Sequence, residues 1–148
     1  MFKKILAYFQ KQEWKYLIPE EDKCVALLGI STDNGKLQCI LDVDEEQNKF
    51  IFFSVFPVNA PQRLRSEMAE FLMRINYSLF LGSFEMDFSD GEIRFKTSLI
   101  YENVDVPEKV IEHFIKDNII SMDNNFELIN DFVSEKFSIK EFIENFND

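Results

Sequence analysis

The sequence predicts an α+β fold: a five-stranded, mainly antiparallel, twisted sheet with helices packed on one face, ordered α-β-β-β-α-β-β-α. Three observations carry this. Residues 24–56 form three strand-like runs separated by the turn clusters Asp33-Asn34-Gly35 and Glu45-Glu46-Gln47-Asn48. Residues 61–101 read as one helix running into one hairpin. Residues 105–133 place apolar side chains three and four apart, as a long amphipathic helix does.

Phe2, Ile5, Leu6 and Phe9 share one face of a short first helix. Trp14, Tyr16, Leu17 and Ile18 then lead to Pro19 as an irregular or extended link, followed by the charged turn Glu20-Glu21-Asp22-Lys23. The meander strands are expected at Cys24–Thr32, Lys36–Asp44 and Lys49–Phe56. A two-residue turn at Asn34-Gly35 would set Cys39 opposite Ile30. The core side then holds Ala26, Leu28, Ile30, Leu37, Cys39, Leu41, Val43, Phe50 and Phe52.

The other side of the meander holds Val25, Leu27, Ile40, Ile51, Phe53 and Val55, diluted by Gly29, Gln38 and Asp42. A sheet covered by helices on one side should turn polar outward, and this one does not. Either the N-terminal helix or C-terminal tail covers these six residues, or they meet another molecule.

In the next helix Leu64, Met68, Phe71, Leu72 and Ile75 share a face, while Arg63, Arg65, Glu67, Glu70 and Arg74 fill the other. Pro61 suits its first turn, Asn59 is the expected cap, and the end is expected between Ser78 and Gly82. Asp90-Gly91 predicts a type I′ turn. That register pairs Phe88 with Ile93, Asp87 with Arg94, Met86 with Phe95 and Glu85 with Lys96, giving one apolar face and one of matched charges. Asp105-Val106-Pro107-Glu108 has the form of a capping box opening the long helix. The polar cluster Ser121 to Asn125 either breaks that helix or is exposed on it. Ser138-Ile139-Lys140-Glu141 is a second box, opening a tail helix with Ile139, Phe142, Ile143 and Phe146 that is either a flap over the sheet or a docking segment.

These residues carry a resemblance. Arg74-Ile75-Asn76-Tyr77, then Leu81-Gly82-Ser83-Phe84-Glu85-Met86-Asp87, then Asp90-Gly91-Glu92-Ile93-Arg94-Phe95 resembles the YbjN-domain family, cyanobacterial-type members above all. The similarity runs over roughly residues 2–133, with Ser83 where members usually have Asn. The resemblance implies a fold similar to type III secretion chaperones and a loose role as a sensory-transduction regulator. It implies no catalytic residues.

At 148 residues the chain suits one domain, residues 1–136, with 137–148 as its tail helix. The net charge of −11 argues against nucleic acid and anionic membranes as partners, and residues 123–148 alone hold seven acids against two lysines. No apolar run approaches a membrane span, and Gln10 to Glu13 interrupt the signal-like start Met1-Phe2-Lys3-Lys4-Ile5, so a cytoplasmic protein is expected. Cys24 and Cys39 are expected as free thiols, and His113, the single histidine, gives neither cysteine a local base. Phosphate loops, zinc motifs and nucleophile elbows are missing. Asp42 and Asp44 beside Glu45 and Glu46 could offer oxygens to a divalent cation, but a solvated strand end explains them better. The expectation is a protein without catalytic, cofactor-binding or metal-binding residues. It would be a chaperone-like or regulatory interaction module binding a protein partner, or a second copy of itself, through Val25, Leu27, Ile40, Ile51, Phe53 and Val55. The alternative is an acidic inhibitor or immunity-type protein neutralising a basic partner.

Overall fold

Alternation along residues 25–55 buries every second side chain, and the strands follow it. The computed structural model describes residues 1–146. Its strands are β1 (Tyr16–Leu17), β2 (Val25–Thr32), β3 (Gly35–Asp44), β4 (Lys49–Val55), β5 (Ser83–Met86) and β6 (Ile93–Ile100). They form one sheet in the order β1-β2-β3-β4-β6-β5, with every neighbouring pair antiparallel. The sheet therefore has six strands, not five. The added strand lies in the stretch expected as an irregular or extended link. Tyr16 packs its ring 6.1 Å from that of Phe9, which anchors the chain beside β2, where Tyr16 opposes Leu28.

Both hairpins differ from the registers that their turn dipeptides predict, and each differs by two residues. In β2–β3, Cys39 opposes Leu28, and Ile30 opposes Leu37. Asn34 is drawn to Asp123 of the long helix, its side-chain amide donating to Oδ1 at 2.9 Å and to the carbonyl at 3.2 Å. In β5–β6, Met86 opposes Ile93, Phe84 opposes Phe95 and Glu85 opposes Arg94. Asp90-Gly91 sits inside a longer loop, 87–92, instead of forming a two-residue turn. There the Gly91 N–H donates to the Asp87 carbonyl at 2.7 Å, and the Ala60 N–H donates to the Gly91 carbonyl at 2.8 Å. Arg65 gathers the carbonyls of Ala60, Phe88 and Ser89. Phe88 is consequently exposed in the loop and does not join the core face. A shift of two leaves every other side chain on its expected face, so the apolar pattern survives where the pairing does not.

Four α-helices are described: α1 (Phe2–Lys11), α2 (Arg65–Asn76, entered through a 3-10 turn at Gln62–Leu64), α3 (Glu108–Val133) and α4 (Ile139–Phe146). Two expected caps are used elsewhere. Asn59 donates to the Asp90 carbonyl, and Asp105 takes the Lys4 ammonium. The second box forms as expected: the Ser138 N–H donates to Glu141 Oε2 at 2.7 Å, and the Glu141 N–H donates to Ser138 Oγ at 3.2 Å. Ser121 to Asn125 stay helical within α3. The side chain of Phe146 lies outside the described residues, as do Asn147 and Asp148.

The helices share one side of the sheet. Phe9 of α1 meets Phe52, and Phe114 of α3 meets Phe50. Phe71 of α2 stacks flat on Phe132 of α3 at 4.3 Å, and Phe137 and Phe142 close over that pair. The many phenylalanines thus fill core between helices, and Phe142 ties α4 to the same continuous cluster as Ile5. One polar centre is buried in it. The Asn118 amide donates to the carbonyls of Phe52 and Phe95, while its oxygen accepts from Ser54 Oγ at 2.7 Å. Those bonds pin α3 across β4 and β6, and a buried amide is tolerated only because it is satisfied.

Candidate protein-binding face

With the helices on one side, the other side of the sheet is left to solvent, and the register fixes what stands there. The central row is Leu17, Leu27, Ile40, Phe53, Lys96 and Ser83, one residue from each strand. The row on one side is Gly29, Gln38, Val55, Arg94 and Glu85. The row on the other is Val25, Asp42, Ile51 and Ser98. All six residues singled out from the sequence therefore share this surface.

Among the described residues, neither α1 nor α4 is spent on it. The terminal amine and the Phe2 N–H both meet Glu45, the latter at 2.7 Å, and the apolar side of α1 enters the core. The carboxyl of Glu45 is held below its ordinary range first by that Phe2 hydrogen bond. At the other end Phe142 is buried against Phe71.

The six residues are not equally open. Leu27 is 37% exposed, whereas Phe53 is only 9% exposed. What shields Phe53 is a charged side chain: the Arg94 guanidinium lies 4.1 Å from its ring centre. Such a stem covers apolar surface while its head stays wet. Arg94 is itself oriented by Glu85, which also pairs with Lys96. Burial pushes the Glu85 carboxyl up, but the two bases outweigh it and hold it below the ordinary carboxylate range.

Leu17 and Ile100 were missed by sequence reasoning; they are 64% and 74% exposed and extend the apolar area at both sides. Ile100 follows from alternation along β6. Leu17 could be found only once β1 was known to pair. Charges of both signs stand on the strands here: Lys36, Lys49, Arg94 and Lys96 against Asp42, Asp44 and Glu85. The excess of acid in a chain of net charge −11 therefore lies elsewhere.

Cys39 is buried in the core, and burial pushes its thiol up to about 12, far from a reactive thiolate. His113 is exposed on α3. Asp44 accepts the Gln47 N–H at 2.8 Å, and Asp87 accepts from Ser89 in the β5–β6 loop. Among the described residues no group of three or more His, Cys, Asp or Glu is placed to hold a metal ion. None of the described helices is long and apolar enough to cross a membrane.

The motif residues that carried the resemblance build one edge of the sheet. Asn76, at the end of α2, accepts the Phe84 N–H at 2.7 Å and donates to the Phe84 carbonyl at 3.0 Å, so its amide stands in for a further strand beside β5. Gly82 has φ +78°, and a Cβ there would lie 2.7 Å from both the Lys96 carbonyl and the Phe95 ring. Phe84 is buried edge-on against Phe95 at 4.7 Å.

Helices on one side and an open, half-apolar sheet on the other define an α+β fold of two layers. The chain belongs to the YbjN family, described as "putative bacterial sensory transduction regulator", whose model matches residues 2–130. The crystal structure of YbjN from E. coli is similar in fold, with a TM-score of 0.64 at 11% identity, covering 88% of this chain and 91% of that one. The ExsC–ExsE complex is similar with a TM-score of 0.53 at 9% identity, covering 86% and 92%. The HopA1–SchA chaperone–effector complex is more distant, with a TM-score of 0.45 at 15% identity, covering 84% and 92%. No curated protein sequence matches the chain.

Proposed function

We propose that this protein is a non-enzymatic interaction module, chaperone-like or regulatory. It binds a protein partner through the open sheet face made by Val25, Leu27, Ile40, Ile51, Phe53 and Val55. The observation that supports this reading is that α1 and the described part of α4 pack on the helical side, while on this face Leu17, Leu27 and Ile100 are exposed and Val25, Ile40, Ile51 and Val55 half-buried. A protein of related fold, ExsC, is found in a complex with ExsE, which supports a protein as the ligand class. The chain acts as one unit, residues 1–136 with 137–148 as its tail, and its free thiols suit the cytoplasm.

Leu27→Asp tests it. Leu27 is accessible enough to change without opening the core. The variant should melt with the wild type yet lose the partner captured by the wild type from its own host. A variant that keeps every partner overturns the reading. The second reading, an acidic inhibitor, is favoured by the seven acids against two lysines in residues 123–148. Its partner would be basic, would be released by salt, and would be indifferent to Leu27→Asp.

A further inference from the structure

We propose that α4 is an internal strap, and that the groove it closes between α2 and α3 is a second docking site. The ligand of that site is a basic amphipathic helix of a partner protein, which displaces α4. The site lies on the helical side of the sheet and does not depend on the reading of the open face.

The groove is shaped for a helix, because a helix already lies in it. Its floor is the flat stack of Phe71 on Phe132. Phe142 of α4 stands edge-on to Phe71 at 4.8 Å, and Phe137 lies 6.0 and 5.5 Å from the two rings. Ile139, Phe142, Ile143 and Phe146 are spaced three and four apart, the spacing by which an amphipathic helix enters a groove. The eight residues of α4 span about 12 Å, whereas the twelve of α2 span about 18 Å. Beyond Phe142 and Ile143 the groove continues as an open depression of about 710 Å³, with Ile75 and Ser78 on one wall and Asn125 and Leu128 on the other. Met73 and Tyr77 stand at its rim, 68% and 96% exposed. A longer helix fills both halves, while α4 fills one.

The strap is lightly held. Among the described side chains of α4 only Phe142 is buried, with Ile139 and Ile143 half-buried. The polar groups of the tail serve the tail itself: Ser138 and Glu141 cap each other, and Lys140 lies 3.8 Å from Glu144. An isolated helix of this length is marginal in water, so α4 depends on its apolar anchor. The chain turns back into it at Glu135, which has φ +57° and pairs with Arg63, and that turn is the pivot. α4 also lies beyond residues 2–130, the stretch that the family model matches. Charge decides what replaces it. α4 carries Glu141 and Glu144 against Lys140, on a chain of net charge −11 with seven acids against two lysines in residues 123–148. An acidic helix on an acidic body is weakened by repulsion. A helix with the same apolar spacing and lysines between keeps the aromatic contacts and turns repulsion into attraction.

The probe is a fluorescent peptide of about sixteen residues that repeats the apolar spacing of α4 with lysine at every polar position. One control carries glutamate at those positions, and another keeps the lysines but scrambles the apolar order. By anisotropy with the full chain, the lysine peptide should bind about tenfold or more tighter than either control, and the gap to the glutamate peptide should narrow as salt rises. Met73→Gln, a change at an exposed rim residue, should weaken binding by about threefold or more. Phe142→Ala, checked for folding by its melt, should tighten it by about threefold or more, because the internal competitor is loosened. Amide exchange over residues 138–146 of the wild type should quicken when the peptide binds. A scrambled or glutamate peptide that binds as well as the lysine peptide overturns the inference, as does unchanged exchange over 138–146 in the bound chain. Neither outcome needs a variant. Loss of the peptide with Leu27→Asp would put it on the sheet face and overturn the inference as well. The reading of the sheet face is separate, because it falls only if Leu27→Asp keeps the host partner.

Discussion

Arg94 lies over the ring of Phe53, 4.1 Å from guanidinium carbon to ring centre, and turns the most central aromatic of an open face into a nearly buried one. Phe53 is thus half core and half surface. Phe53→Ala should lower the unfolding free energy by about 3 kcal/mol, as for a packed phenylalanine. Arg94→Ala should lower it by about 1 kcal/mol and raise the binding of a dye that reports exposed apolar surface. Urea titration measures the first, fluorescence the second. A Phe53→Ala loss under about 1 kcal/mol would mean that the ring is not packed as described.

Two glycines with positive φ separate backbone strain from tertiary contact. Gly35 has φ +127° and open space where a Cβ would stand. Gly91 has φ +82°, and its Cβ would lie 2.1 Å from the Ala60 carbonyl oxygen. Gly35→Ala should cost only the strain, on the order of 1 kcal/mol. Gly91→Ala should cost clearly more, because Ala60 must move and the loop 87–92 detaches from the entry to α2. Paired thermal melts check this, and equal losses would rule out the docking of that loop as the cause of the hairpin register.

Acid should destabilise the fold through identifiable carboxylates. Glu85 is pushed up by burial but lowered more by Lys96 and Arg94. Glu45 is lowered first by the Phe2 N–H. Asp123 is pushed up by burial but lowered more by its bonds to Asn34 and Thr32. Each binds its proton less readily folded than unfolded, so the unfolded chain takes up more protons as the pH falls. Their contribution is complete above the ordinary values of 4.5 for the glutamates and 3.8 for the aspartate, and is lost as the pH drops through the lower folded values. Urea midpoints between about pH 6 and about pH 3 should fall steeply at the acid end, and Lys96→Met should flatten part of that fall. A midpoint independent of pH over this range would contradict the pairing of these groups.

Side-chain period was legible, and so were the helices, the apolar face and the family motif, because each depends on residues near in sequence. Ser138 and Glu141 form their box with no help from elsewhere. Asn59 and Asp105 matched cap patterns equally well, but distant groups claimed them: the Asp90 carbonyl and the Lys4 ammonium. The same competition moved both hairpins. Asp123 captured one tip, and Ala60 with Arg65 captured the other. A turn dipeptide biases pairing by a fraction of what several such bonds supply.

Alternation, helical spacing and charge order were settled by the sequence itself, and with them which residues stand on which face. They are local properties, and a two-residue slip in pairing cannot disturb them. The tertiary structure alone decided the sixth strand, the registers and the shielding of Phe53 by Arg94, because each arises where groups far apart in the chain compete for the same atoms.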